Sequence, residues 1–63
     1  GESAEGLVAF EDHSTGGIRA VWSVFRYQER GKVVELPEAT MQKLEVHGGQ
    51  EVATLAFARH TRI

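Results

Sequence analysis

Three histidines are the side chains of this chain best suited to bind a metal ion. His13, His47 and His60 each lie in or near a turn, and none has the spacing of metal ligands on a helix. A catalytic zinc ion needs about three protein ligands that converge on it. Residues 11–13 are Glu, Asp and His, but neighbours on a strand point to opposite faces, so at most two of them would share a metal. We predict no metal site.

Nucleophilic catalysis has equally little support. There is no cysteine, and Ser3, Ser14 and Ser23 lie in no nucleophile-elbow context. Residues 12–14 contain the residue types of a catalytic triad, but consecutive residues do not face one another as a relay requires. We therefore expect a non-enzymatic protein with no catalytic residues and no cofactor.

Basic side chains are concentrated in the middle of the chain, although the net charge is −2. Arg26, Arg30 and Lys32 lie between two acidic segments. Phosphate contacts dominate affinity for nucleic acids, so a hairpin that carries these three cations is a candidate DNA-binding element, particularly when a two-fold axis doubles it. The alternative is that they are ordinary solvated charges on exposed strands.

The length limits how a fold can be stabilised. The chain has 63 residues, 41% of them hydrophobic, and a chain this short buries only ~60% of the surface that its unfolded form exposes. Without disulfides, it needs a tight β-rich core or a partner subunit. No apolar run approaches the ~20 residues of a membrane helix, and the first residues do not have the pattern of a signal peptide. We expect no membrane partner and a cytoplasmic location.

The pattern along the chain predicts a mostly β fold in the order β-β-β-α-β. Residues 1–5 are small, polar and charged, which predicts a disordered end or a tag remnant, and residues 6–63 form one small β-rich domain. Strands are predicted at residues 7–10, 18–28, 32–36 and 51–58, with one short helix at 37–44 that begins at Pro37. A small antiparallel β-barrel or half-barrel is the natural architecture.

The second strand, residues 18–28, is apolar on both of its faces. A strand with one solvated face alternates between apolar and polar residues, so this strand is either central to a barrel or lies in a subunit interface. Its large side chains Trp22, Val24, Phe25 and Tyr27 are the candidate interface. This predicts a homo-oligomer, with a dimer favoured.

The second half of the chain resembles the swapped-hairpin domains of the SpoVT/AbrB and MazE kind. The matching segments are GKVVELP at residues 31–37 and LEVHGGQEV at residues 44–52, with Leu44 seven residues after Pro37. The resemblance covers roughly residues 25–58. It implies an intertwined homodimer in which Arg26, Arg30 and Lys32 contact DNA, and it makes a toxin or a larger parent protein an expected partner.

A second resemblance, to TOBE-type small barrels, covers the whole length. The apolar segment from Gly6, the long strand from Ile18 and the segment 40–52 are similar to that layout. This resemblance implies an accessory barrel that senses a small anion or another ligand. We therefore predict a binding or regulatory module, with a DNA-binding regulator or antitoxin-like domain favoured. The alternatives are the TOBE-like barrel and a pure oligomerisation or protein-interaction domain.

Overall fold

The chain folds into a four-stranded antiparallel sheet with a single short helix on one side. The computed structural model describes residues 3–60, with side chains up to Phe57. The elements in chain order are β1 (Ser3–Asp12), β2 (Gly17–Gln28), a 3-10 turn (Glu29–Gly31), β3 (Val33–Glu35), α1 (Glu38–Leu44) and β4 (Ala53–His60). The order across the sheet is β3-β2-β1-β4, so the long strands β1 and β2 are central.

The mostly β fold, its β-β-β-α-β order and its single short helix are confirmed. The sheet is not closed, because β3 and β4 stand at opposite edges and do not pair within residues 3–60. Strand β3 has only three residues, and Pro37, which lacks a backbone N–H, follows it closely. The four strands therefore form an open antiparallel sheet and not a closed barrel. No helix among the described residues is long and apolar enough to cross a membrane.

Strand β1 begins earlier than the sequence predicts. Ser3, Ala4 and Glu5 belong to β1 and pair with β2 on one side and β4 on the other. Ala4 is buried. The prediction of a disordered end at residues 1–5 is therefore wrong for these three residues, because two neighbouring strands fix a segment whose own composition is weakly β-forming. Residues 1, 2 and 61–63 lie outside the described part of the chain.

The core lies between the sheet and α1. Its buried apolar side chains are Ala4, Val8, Phe25, Leu44 and Val46. One polar pair sits among them, because the hydroxyl oxygens of Ser23 on β2 and Thr40 on α1 are 2.7 Å apart. Burying an unpaired hydroxyl is costly, so this bond fixes which side of α1 meets the sheet.

Helix α1 is held by its ends as well as by its buried face. The backbone N–H of Met41 donates to the carbonyl of Pro37 at the start. At the other end Glu45 adopts a left-handed conformation with φ 57°, and the N–H of Val46 donates to the carbonyl of Met41. A seven-residue helix is marginal by itself, so tertiary packing supplies most of its stability.

Gly6 allows β4 to pass close to β1. The register of these two strands shifts between Glu5 and Gly6, which is a β-bulge. A Cβ atom at Gly6 would overlap with the carbonyl oxygen of Leu55 and press on the backbone of Ala56. The obstacle is backbone rather than a flexible side chain, so only glycine fits without moving the strand.

We expect Gly6→Ala to lower the free energy of unfolding by about 1–3 kcal/mol, because β4 must shift to admit the methyl group. Urea unfolding followed by circular dichroism measures the change. Gly48→Ala is the matched control, because a Cβ atom there meets nothing within 4 Å. Equal stability of the two variants would contradict this account of the bulge.

Candidate functional site

The sheet face opposite α1 is the most unusual surface of the described chain, and we call it the open face. Side chains alternate between the two faces of a strand, so α1 covers one set and leaves the other uncovered. The exposed large apolar side chains all belong to this uncovered set: Leu7, Ile18, Trp22, Val24, Val33, Leu55 and Phe57. With ~150–250 Å² for a fully exposed large side chain, the seven together expose on the order of 700 Å².

The strand register arranges the open face in rows that run across the sheet. Trp22 lies opposite Leu7, which lies opposite Leu55, and these three form the middle row. The next row towards the β1–β2 turn consists of Ala20, Ala9 and Ala53, which we call the alanine row. On this side of the middle row, the adjacent row of the open face therefore carries only small side chains.

Large side chains occupy the opposite side of the middle row. Val24 pairs with Glu5, and Phe57 lies beside them at the bulge. The rings of Trp22 and Phe57 stack with centroids 5.4 Å apart and an interplanar angle of 29°. We call Val24 and Phe57 the ridge, and Trp22 of the middle row stacks against it.

Trp22 is held in one orientation although 54% of its surface is exposed. Its indole N–H donates a hydrogen bond to Glu5 Oε2 at 2.6 Å. The bond satisfies the polar edge of the ring while Phe57 supports one of its faces. A fixed aromatic side chain loses little conformational entropy on binding, and this is a property of binding hot spots.

The structure divides the predicted interface residues between the two faces of β2. Trp22 and Val24 lie on the open face. Phe25 is 2% exposed in the chain's own core, and Tyr27 packs edge-on against it at 5.5 Å. The Tyr27 hydroxyl also lies 2.8 Å from that of Thr54 on β4. The assignment of Phe25 and Tyr27 to an interface is therefore corrected, since both serve the core that α1 covers.

Sequence reasoning missed Leu7, Leu55 and Phe57 as members of the same surface. Leu55 and Phe57 are two residues apart in β4, a spacing that places them on one face of a strand. The missing information was the strand order, which brings β4 beside β1 and thus beside Leu7. A single seven-residue helix cannot cover both faces of a four-stranded sheet. The short predicted helix therefore already indicated that one face of the sheet would stay uncovered.

Arg26, Arg30 and Lys32 all lie exposed at the β2–β3 end of the sheet, and we call them the basic hairpin. Arg26 is on the open face opposite Glu35, whereas Arg30 lies in the 3-10 turn with φ 59°. Lys32 ends that turn. Within the described residues, no ion pair of 4 Å or less involves any of the three.

A polar cluster at the other end of the sheet ties β2 to the end of α1. Arg19 donates a 2.7 Å hydrogen bond to the carbonyl of Leu44 and lies over the ring of Phe10 at 5.4 Å. The same guanidinium is 3.6 Å from Asp12 and 3.7 Å from Glu45. A cation at the end of a helix is favourable, so this cluster has a structural role in positioning α1.

Asp12 shapes the β1–β2 turn and has a perturbed pKa. Its Oδ1 accepts bonds from the hydroxyl and the backbone N–H of Ser14, at 2.6 and 3.0 Å. These two bonds lower the pKa of Asp12 below its ordinary value, and desolvation opposes them with a smaller effect. The charge of Arg19 and a bond from the Thr15 backbone lower the pKa further, each by less than desolvation raises it.

A cleft of about 540 Å³ lies between β3 and the connection from α1 to β4. Its apolar lining includes Val34, Leu36, Met41, Val46 and Val52, and Lys32 and His47 also line it. Among the described residues, no group of three or more His, Asp or Glu side chains is placed to hold a metal ion.

The turn at Asp12 yields a pH-dependent prediction. Because the folded-state pKa of Asp12 is lowered, its carboxylate stabilises the fold at pH values above about 4, and this contribution is lost as the pH falls through the folded-state pKa. We expect the unfolding free energy of the wild type to fall more steeply with acidification below pH 5 than that of Asp12→Asn. Asparagine keeps an acceptor for Ser14 but has no charge. Parallel pH profiles in urea unfolding would contradict the assignment.

No family model, curated protein or solved structure matches this chain. The likenesses to SpoVT/AbrB–MazE domains and to TOBE barrels therefore stay predictions. The open face, the basic hairpin and the cleft are the surfaces on which a functional proposal must rest.

Proposed function

We propose that this chain is a non-enzymatic binding module that acts as a homodimer, with the open face as its subunit interface. The observation that carries the proposal is the placement of every exposed large apolar side chain of the described chain on one face of the sheet. Exposed apolar patches of this size mark interaction sites, because water contact with them is unfavourable.

The dimensions of the open face fit a second protein chain. A specific interface of standard size buries about 800 Å² on each partner, and the apolar side chains of the open face supply most of that area. The centre of such interfaces is apolar and aromatic, with charges at the rim. Trp22 and Leu7 lie at the centre here, and Glu11 and Arg26 lie towards the ends.

A nucleic acid is a poorer partner for this face. The rows of β1 and β2 carry Glu5 and Glu11 against a single cation, Arg26. Single-stranded nucleic acids bind to aromatic side chains only where a positive groove follows the phosphates. The open face offers aromatic rings without such a groove, so its chemistry favours protein.

We expect a purified sample to be dimeric at micromolar concentrations and its melting temperature to rise with concentration, since dimer formation stabilises the folded state by mass action. Leu55→Lys places a charge in the middle row of the interface and should shift the mass measured by light scattering towards that of the monomer. Gln42→Lys is the matched control, because it adds the same charge at an exposed position of α1. A monomeric wild type with a concentration-independent melting temperature would refute the proposal.

Contact with DNA through the basic hairpin is a second candidate function. It is favoured by one observation, the exposure of Arg26, Arg30 and Lys32 at one end of the sheet without an ion pair among the described residues. A dimer would present two such hairpins, and paired hairpins suit a duplex with two half-sites. The resemblance to swapped-hairpin regulators implies the same residues.

If the hairpin binds duplex DNA, affinity should fall steeply as salt is raised. The double variant Arg30→Ala, Lys32→Ala should weaken binding and reduce the slope of log K against log salt by about one for each phosphate that is no longer neutralised. Lys43→Ala, which removes an exposed cation from α1, should leave the slope unchanged. Fluorescence anisotropy with a labelled duplex measures both quantities. Absent or salt-independent binding would exclude this function.

A further inference from the structure

We infer that the second copy docks face to face on the open face with its strands antiparallel to those of the first, so that the ridge of each copy enters the alanine row of the other. This inference rests on the proposed function, because it specifies how the dimer forms. It places the two-fold axis across the strands at the middle row, which contains Trp22 and Leu7.

The register makes the middle row a natural position for the axis. The outward-facing pairs of β1 and β2 follow in the order Arg26 with Ser3, Val24 with Glu5, Trp22 with Leu7, Ala20 with Ala9, and Ile18 with Glu11. Two rows therefore lie on each side of Trp22 and Leu7. A two-fold axis along this row places each row of one copy on a row of the other copy. The two rows lie equally far from the middle row, on opposite sides of it.

Side-chain volume favours this axis over an axis parallel to the strands. The crosswise axis lays the row of Val24 and Phe57 on the alanine row, so large side chains meet small ones. An axis along the strands would instead place the alanine rows of the two copies on each other, which leaves a void. It would also place the two ridges on each other, which makes their side chains clash. Interfaces pack as densely as protein interiors, so the interdigitating arrangement is the favourable one.

Charge selects the same arrangement. Arg26 lies in the row at one end, where Glu35 of β3 is its neighbour, and Glu11 lies in the row at the other end. The crosswise axis brings Arg26 of each copy to the end where Glu11 of the other copy lies. The axis along the strands would instead bring Arg26 to Arg26 and Glu11 to Glu11. Packed sheets lie about 10 Å apart, a gap that an arginine and a glutamate span together.

Pairing through the free edge of β4 is the main alternative. It would extend the sheet to a second copy through backbone hydrogen bonds. The apolar side chains of the open face would then remain in water on both copies, including Trp22 at 54% exposure. Face-to-face docking covers them.

Ala20→Phe tests the docking mode, because it fills the alanine row while adding apolar surface. We expect the dimer dissociation constant, measured by sedimentation equilibrium, to rise at least tenfold. Gln42→Phe adds the same ring at an exposed position of α1, on the other side of the sheet, and it should leave the constant within about threefold of the wild type. Circular dichroism of each variant verifies the fold, which an exposed position such as Ala20 should preserve.

Charge reversal supplies an independent readout. Arg26→Glu and Glu11→Arg should each weaken the dimer, and the double variant should recover at least half of the combined loss on a logarithmic scale. A dimeric wild type that Ala20→Phe leaves unchanged or tightens would overturn the docking mode while the proposed function stands. Failure of the double variant to recover would overturn the antiparallel register in the same way. A monomeric wild type would instead refute the proposed function itself.

Discussion

A four-stranded sheet covered by one seven-residue helix is the constraint from which the rest of this structure follows. Helix α1 shields the face of the sheet that carries Val8 and Phe25, and its own Leu44 completes that core. The chain has no second helix to place on the other face within residues 3–60. Apolar side chains are nevertheless present on that face, so the folded monomer retains a surface that water solvates poorly.

The position of α1 is set by contacts between distant parts of the chain. Ser23 and Thr40 join its middle to β2 through a buried hydroxyl pair, and Arg19 binds the carbonyl of Leu44 at its end. Both contacts come from core-facing residues of β2. They determine which face of the sheet is covered, and they therefore also determine which face is left open.

The element order could be predicted from the sequence because local residues enforce it. Gly16, with φ 74°, turns the chain after β1, and Gly31, with φ 86°, turns it before β3. Pro37 ends the β3 segment and begins the helical one. These are short-range effects that need no knowledge of the final packing.

The candidate site was only half predictable, because it depends on long-range pairing. Strand β2 is apolar on both faces, so its sequence contained no indication that Trp22 faces outwards and Phe25 inwards. The stacking of Trp22 on Phe57 joins residues that are 35 positions apart. The inclusion of Ser3–Glu5 in β1 likewise depends on β2 and β4 rather than on the segment itself.

The chain contains one tryptophan, and it lies at the centre of the proposed interface. The most direct measurement of the central claim is therefore the emission spectrum of Trp22 over a dilution series from high micromolar to nanomolar concentrations. Covering the open face removes water from the indole ring, so we expect a blue-shifted emission at high concentration that moves to the red as the dimer dissociates. Emission typical of a water-exposed indole at every concentration would contradict the claim that a second copy covers the open face.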